Sequence, residues 1–318
     1  MVTRNDVKYA YRLLLGREPE NRSVVKAAAA GHKNLKQLRQ SFMASPEFAA
    51  IATAASGNRF PLDLEQPGLV EVSCDPQSLQ QLIARVERIW TRLGQKEPYW
   101  SVLTMDAFKK DSFQQNQDVF WSTGQFDTLR FAAWLKRSGI VPRPEWTCLE
   151  YGCGTGRVTR WLAKDFQSVI GCDISESHLA AARESLTADV ASRVQFVRIE
   201  SLAALSQLPE FDVLFSVIVL QHNPPPLIAY ILDKLLGRLR PGGIAYFQVP
   251  TFRLGYHFEV AKYLAEPAVD EMEMHVLPQK HLFELAKSHH CDLLEVQPDD
   301  KTGSLEYVSN TVLLQKSL

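Results

Sequence analysis

Three glycines alternate with other residues in the stretch Cys148-Leu149-Glu150-Tyr151-Gly152-Cys153-Gly154-Thr155-Gly156-Arg157, and an acid precedes them. Apolar residues lead in from Trp146 to Leu149, which predicts a buried strand; Val158, Trp161 and Leu162 follow at helical spacing. A strand, a glycine turn and a helix start make a cradle for a nucleotide. The glycines let the backbone approach a ligand, and the first helical turn offers unpaired N–H groups. Other residues that could do chemistry lie downstream. Asp173 ends a second predicted strand, about twenty residues past the turn, where an acid can accept both hydroxyls of a ribose. His222 follows a fourth strand at the end where open α/β sheets bind ligands, and an imidazole there can take a hydroxyl proton near neutral pH. It can equally hold the turn. His275 and His257 are the reserve bases.

The glycine register decides which nucleotide. A dinucleotide fingerprint needs its third glycine at position 157, and Arg157 stands there. The pattern E-x-G-x-G-x-G instead resembles motif I of class I S-adenosylmethionine (SAM) methyltransferases. That resemblance covers roughly residues 126–318. It implies a Rossmann-like α/β sheet of seven strands, mostly parallel with an antiparallel last strand. It also implies that the glycine loop receives the amino-acid end of SAM, with Glu150 facing its ammonium group. The cofactor-binding set it implies is Glu150, Gly152, Cys153, Gly154, Gly156, Asp173, Ile174, Glu200, Ser201 and Ser216. Glu200 ends the third strand, where the family usually places an acid beside the adenine amino group, and the Ser201 backbone N–H could meet adenine N1. Leu239-Arg240-Pro241-Gly242-Gly243 is a common turn phrase of the family. Asn223-Pro224-Pro225-Pro226 is no amino-methyltransferase motif, because no aromatic closes it; Asn223 reads as a helix cap before prolines. The insertion from Thr251 to Gln279 holds Tyr256, His257, Tyr263 and His275, and such insertions often build the acceptor pocket. The implied activity is methyl transfer from SAM, with a sugar, glycan or related small metabolite as O-acceptor. Another acceptor class (amine or protein) and a SAM-fold binding protein without catalysis are the alternatives.

The elements that position these residues follow from periodicity. Residues 1–57 read as a small all-α module. Val7, Tyr11, Leu14 and Leu15 form one apolar face, and Leu35, Leu38, Phe42 and Met43 form another. Tyr11-Arg12-Leu13-Leu14-Leu15-Gly16-Arg17-Glu18-Pro19 and Phe42-Met43-Ala44-Ser45-Pro46-Glu47-Phe48 resemble a helical module of bacterial cell-envelope and glycan-modifying proteins. The implied roles are a bundle without a ligand or a dock for a partner protein. Residues 58–125 read as a linker and a lid-like lead-in. Within it Leu79 to Leu93 is helical, Gly94 fits a C-cap, and Tyr99, Trp100, Phe108, Phe113, Phe120 and Trp121 either cover the cofactor or fasten the segment to the core. The methyltransferase domain then runs over 126–318.

Composition excludes several classes. The chain of 318 residues has 35 basic and 36 acidic residues, a formal net charge of -1, so no global basic surplus points to nucleic acid. Five cysteines form no C-x-x-C pair, which argues against a zinc site or a disulfide framework. The longest apolar run, Phe211 to Leu220, is too short for a membrane span, and the start lacks an export signal's apolar core. These features lead to the expectation of a cytoplasmic enzyme.

Overall fold

The computed structural model describes residues 2–48, 68–267, 271–304 and 306–318. The chain divides into two units, 1–66 and 67–318. The expected boundary at 57/58 lies outside the described residues.

The first unit contains α1 (Arg4–Leu15), α2 (Arg22–Gly31) and α3 (Leu35–Met43). Each begins on a side-chain cap, as polar residues that satisfy orphan N–H groups should. Thr3 and Asp6 form a capping box, and Asn21 and Asn34 cap the next two helices. Gly16 ends α1 in the left-handed region at φ 64. Val7, Leu15, Val25, Leu38 and Phe42 form a small core, with the Tyr11 ring edge-on to Phe42 at 5.0 Å. Ser45 Oγ accepts the Phe48 N–H at 3.1 Å.

The second unit is a seven-stranded sheet flanked by helices. Its strands are β1 (Thr147–Tyr151), β2 (Ser168–Asp173), β3 (Val194–Arg198), β4 (Phe211–Ser216), β5 (Leu239–Arg253), β6 (Cys291–Asp299) and β7 (Tyr307–Lys316). The order is β3-β2-β1-β4-β5-β7-β6. Strands β1 to β5 pair in parallel, and β7 is antiparallel to both β5 and β6. The order reverses between β1 and β4, which opens a crevice at their C-terminal ends. Glu150 is in register with Gly171 on one side and Phe215 on the other, so the glycine loop leaves the middle of the sheet. Leu149, Leu214, Phe247 and Leu314 belong to the core on one face, and Cys148, Val213, Tyr246 and Leu313 to the core on the other. That alternation is the period-two pattern of strands covered on both sides.

Several boundaries differ from the sequence expectation. The helix Lys110–Arg137 (α5) passes without a break through the expected domain edge at 125/126. Gly124 does not interrupt it, because its missing side chain leaves room for the carbonyl of Arg157: a Cβ would stand 2.1 Å from that oxygen. The helix Pro76–Lys96 (α4) likewise runs through Gly94, where a Cβ would collide with Ser175, Ser177 and His178 of the facing segment. Gly94 is a packing glycine rather than a C-cap. Asn223 does not cap the next helix, which starts at Pro225 with Pro224 as its cap residue; the Asn223 amide donates instead to Val219 O at 3.0 Å. β5 continues to Arg253 because β7 pairs with it from Ile244 to Arg253.

Candidate functional site

The crevice at the C-terminal ends of β1, β2 and β4 holds a cavity with about 790 Å³ of empty space, open on one side. Gly152, Cys153 and Gly154 form its floor, with Glu150 and Tyr151 behind them and Asp173 and Ile174 at one wall. The loop is held by its own backbone, since Gly152 N and Cys153 N both donate to Cys172 O at 2.8 and 2.9 Å. Gly152 sits at φ +75 and Gly154 at φ +53, a region that disfavours any residue with a side chain. A Cβ on Gly152 would lie 2.3 Å from Val219, and one on Gly154 would lie 2.9 Å from Val102. The loop must be bare to be a cradle.

Two carboxylates face this cradle. Asp173 Oδ2 accepts the Gly154 N–H and Oδ1 accepts the Ser175 N–H, both at 2.8 Å. Glu150 is buried, and Thr159 Oγ1 donates to its Oε2 at 2.5 Å. Among the described residues no cation lies within ion-pairing distance of Glu150. Burial pushes its carboxyl up to about 8, although the Thr159 hydrogen bond and the Arg157 charge pull the other way. A buried acid without a countercharge, lining a cavity, is ready for a cationic group. The residues present therefore fit the amino-acid end of SAM at Glu150 and its ribose at Asp173.

Residues far from the motif complete the walls. Val86 and Trp90 come from α4, Ser101 and Val102 from the segment after it, and His178 from Glu176–Ser185. Ser101 Oγ donates to Pro98 O and accepts from His178 Nε2 at 2.8 Å, which pins the segment over the glycine loop. Ile218, also on the wall, has φ 63, an outlier for a β-branched residue; the buried Gln248 holds it by accepting the Ile218 N–H at 2.9 Å. Arg157 closes the loop from behind. It pairs with buried Asp127 at 2.8 Å, and Lys301 reaches the other Asp127 oxygen at 2.6 Å. Burial would raise the Asp127 carboxyl, but these two cations hold it below the usual carboxylate range.

The remaining sequence candidates fall elsewhere. Gly156 does not line the cavity and packs against Ala182. Ser216 is buried off the cavity and donates to Tyr151 O at 3.0 Å, tying β4 to β1. Glu200 is 71% exposed and lies near Arg198, and Ser201 precedes the helix Leu202–Gln207; neither lines the cavity. The third strand ends in partly exposed residues, so its acid turns to solvent.

His222 stands one ring behind the cavity wall, edge-on to Trp90 at 5.1 Å. Its Nδ1 bonds Glu273 O at 2.9 Å, and burial pushes the imidazole down to about 4. His275 is buried among Tyr256, Phe258 and Tyr263, its Nδ1 bonded to the Tyr256 hydroxyl, and burial pushes it down to about 3. His257 is exposed and does not line the cavity. The insertion packs on α4 rather than over the cofactor cavity, with Arg85 over the Tyr263 ring at 4.1 Å. The lead-in aromatics fasten rather than cover. Tyr99, Phe113, Phe120 and Trp121 stack on one another, Trp121 lies under Arg160, and none lines the cavity.

A Rossmann-like sheet with an antiparallel β7, a bare E-x-G-x-G-x-G loop and Asp173 at the end of β2 are the features that the resemblance to class I SAM-dependent methyltransferases implied. Residues 148–243 match the family model described as a methyltransferase domain. A trans-aconitate 2-methyltransferase of Deinococcus radiodurans is 34% identical over 132 residues, 40% of this chain and 47% of that protein. A ubiquinone biosynthesis O-methyltransferase of Hydrogenovibrio crunogenus is 31% identical over 149 residues, 45% of this chain and 60% of that protein. The match thus spans only about half the length of these curated relatives. The magnesium protoporphyrin IX methyltransferase of Synechocystis PCC 6803, solved with bound SAH, aligns with a TM-score of 0.51 at 19% identity, over 75% of this chain and all of that one. That likeness is one of fold.

Proposed function

We propose that the chain transfers a methyl group from SAM to an oxygen of a small acceptor, a sugar, a glycan or a related metabolite. The observation that carries the SAM reading is the buried, unpaired Glu150 beneath the bare Gly152–Gly154 floor, with Asp173 on the same cavity. When bound, SAM supplies a methyl carbon activated by its sulfonium. The chain's residues orient it and exclude water. Glu150 meets the ammonium group, Asp173 the ribose hydroxyls, and Trp90, Val102 and Ile218 supply apolar wall. Oxygen as the accepting atom is favoured by the likeness to the Hydrogenovibrio O-methyltransferase. The sugar or glycan class is favoured by the resemblance of the first unit to modules on glycan-modifying proteins. Of the three candidate histidines, His222 packs edge-on against the cavity-lining Trp90.

Calorimetry with SAM and S-adenosylhomocysteine tests the cofactor. Micromolar binding of both is expected, and absence of binding removes the enzyme reading. Incubation with SAM and a panel of sugars, glycans and hydroxylated metabolites, read by mass spectrometry for one added methyl, then tests the acceptor class. Methylation of amines alone overturns the oxygen assignment.

A further inference from the structure

The near-neutral total charge of the chain hides a strong local imbalance. Residues 2–48 carry nine Lys and Arg (Arg4, Lys8, Arg12, Arg17, Arg22, Lys26, Lys33, Lys36 and Arg39) against four acids, while the whole chain is at -1. All four acids are engaged: Asp6 caps Thr3, Glu18 pairs with Arg12, and Glu20 and Glu47 both pair with Arg17. Arg4, Lys8, Arg22, Lys26, Lys33 and Lys36 make no ion pair among the described residues. Among the described residues these six side chains are exposed and unpaired.

Exposed apolar side chains lie beside that charge. On α1 the basic residues Arg4, Lys8 and Arg12 follow one another at i, i+4 spacing and form a row. Tyr9 and Leu13 form the adjacent row and are 58% and 80% exposed. The buried residues Val7 and Leu15 face the unit's own core, so nothing within the helix covers Tyr9 and Leu13. Leu35 and Met43 of α3 are likewise exposed, on the helix that carries Lys36 and Arg39. Free cations alone would suit any polyanion. An exposed Tyr and Leu between a basic row and solvent suit a surface with anionic headgroups over hydrocarbon.

We propose that the first unit, through the α1 face of Arg4, Lys8, Tyr9 and Leu13, docks the protein peripherally on an anionic lipid surface. Lys and Arg sit at the headgroups, and Tyr9 and Leu13 enter the boundary beneath them. No helix of the described residues is long and apolar enough to cross a membrane, so the contact lies on the surface. The inference does not depend on the methyl acceptor.

The test is co-sedimentation of the full chain with vesicles of phosphatidylcholine alone and of phosphatidylcholine mixed with phosphatidylglycerol, at low and high salt. Binding is expected only to the anionic vesicles, weakening as salt screens the charges. Arg4→Glu with Lys8→Glu should weaken it on the order of tenfold or more, and Tyr9→Ser with Leu13→Ser should weaken it at constant charge. Lys287→Glu in the second unit should change nothing. These side chains are exposed, and circular dichroism of each variant checks that the fold is kept. No binding to anionic vesicles overturns the proposal, as does binding that the α1 variants leave intact. Binding to a single-stranded oligonucleotide but not to vesicles also overturns it and assigns the charge to a polyanion.

Discussion

The carboxylate of Asp173 accepts the backbone N–H of Gly154 at 2.8 Å, so the acid at the end of β2 also holds the glycine loop. One side chain therefore shapes the floor of the cavity, and in the proposed function it also meets the ribose with its remaining lone pairs. This double duty changes what a substitution does. Asp173→Ala removes charge-assisted contacts to the ribose, each on the order of 1.5–3 kcal/mol. It also strips the Gly154 and Ser175 N–H groups of their acceptor. SAM affinity should fall at least 100-fold, and the ligand-free melting temperature should fall with it. Asp173→Asn, which keeps an acceptor oxygen, should recover melting temperature more than affinity. Calorimetry and thermal melts separate the two; unchanged affinity in either folded variant would refute the ribose role.

The two floor glycines should respond differently from the turn glycine. Gly154→Val places branched carbons against Val102 at φ +53 and fills the cradle, so SAM binding should be abolished in a protein that still folds. Gly243→Ala meets the carbonyl oxygens of Arg240 and Asp212, each 2.8 Å from the new Cβ. It should lower the melting temperature while the protein that remains folded binds SAM normally. Normal binding by Gly154→Val sinks the cradle argument.

The cradle and Asp173 were legible in the sequence because they are local. A strand, a bare turn and the next strand's terminal acid lie within one short stretch. Trp90, Ser101, Val102 and His178 were not, because they reach the cavity from helices and a connecting segment whose docking no periodicity encodes. Ile218 was hidden for another reason: its positive φ is imposed by Gln248 across β5, not by its own residue type. Glu200 and Ser216 were placed on the cofactor by analogy with the strand ends, and the structure turns one to solvent and the other into a β4–β1 tie. The fold itself was more legible than the site. Seven strands in order follow from apolar runs, whereas Gly94 reads as a helix end and is a contact inside a continuous helix.

Glu150 should make cofactor binding pH-dependent. In the free protein its pKa is about 8, so at pH 7 it is mostly protonated, and it must ionise to meet an ammonium group. SAM affinity should then rise up to about tenfold per pH unit between pH 6 and 8 and level off above. Glu150→Gln should bind more weakly and lose this slope; an unchanged slope in that variant assigns the titration elsewhere. Stability runs the other way. A carboxyl whose folded pKa lies above its unfolded value near 4.5 contributes most below that value and loses its contribution as pH rises through about 8. Ligand-free Glu150→Gln should therefore melt above the parent at pH 9, by an amount on the order of a few kcal/mol.

His222 should behave as a positioning residue for Trp90. Its Nδ1 is committed to Glu273 O, and burial holds it neutral with a pKa of about 4, too weak a base to match a hydroxyl near neutral pH. His222→Ala should shift the Trp90 fluorescence and raise KM for SAM several-fold, with kcat reduced by less than about tenfold. A loss of 10²-fold or more in kcat at constant affinity and melting temperature would instead make His222 the base.

The trio behind the glycine loop gives the sharpest stability prediction. Arg157 and Lys301 are both held by one buried carboxylate, and Lys301 lies in the turn between β6 and β7, far from the loop in sequence. Asp127→Ala leaves two cations facing each other without an anion, with the Arg157 side chain only 4% exposed. Breaking a buried pair on one side costs about 3–5 kcal/mol. Lys301→Met removes the second cation while Asp127 keeps Arg157, so its cost alone should be much smaller. If the charges are what matter, adding Lys301→Met to Asp127→Ala should restore part of the lost stability, because one unpaired cation is then gone. Urea melts of the three variants measure this as a coupling energy. Strictly additive losses would mean that Asp127 and Lys301 do not act on Arg157 as a unit, and that the loop is braced by packing of Gly124 against its backbone alone.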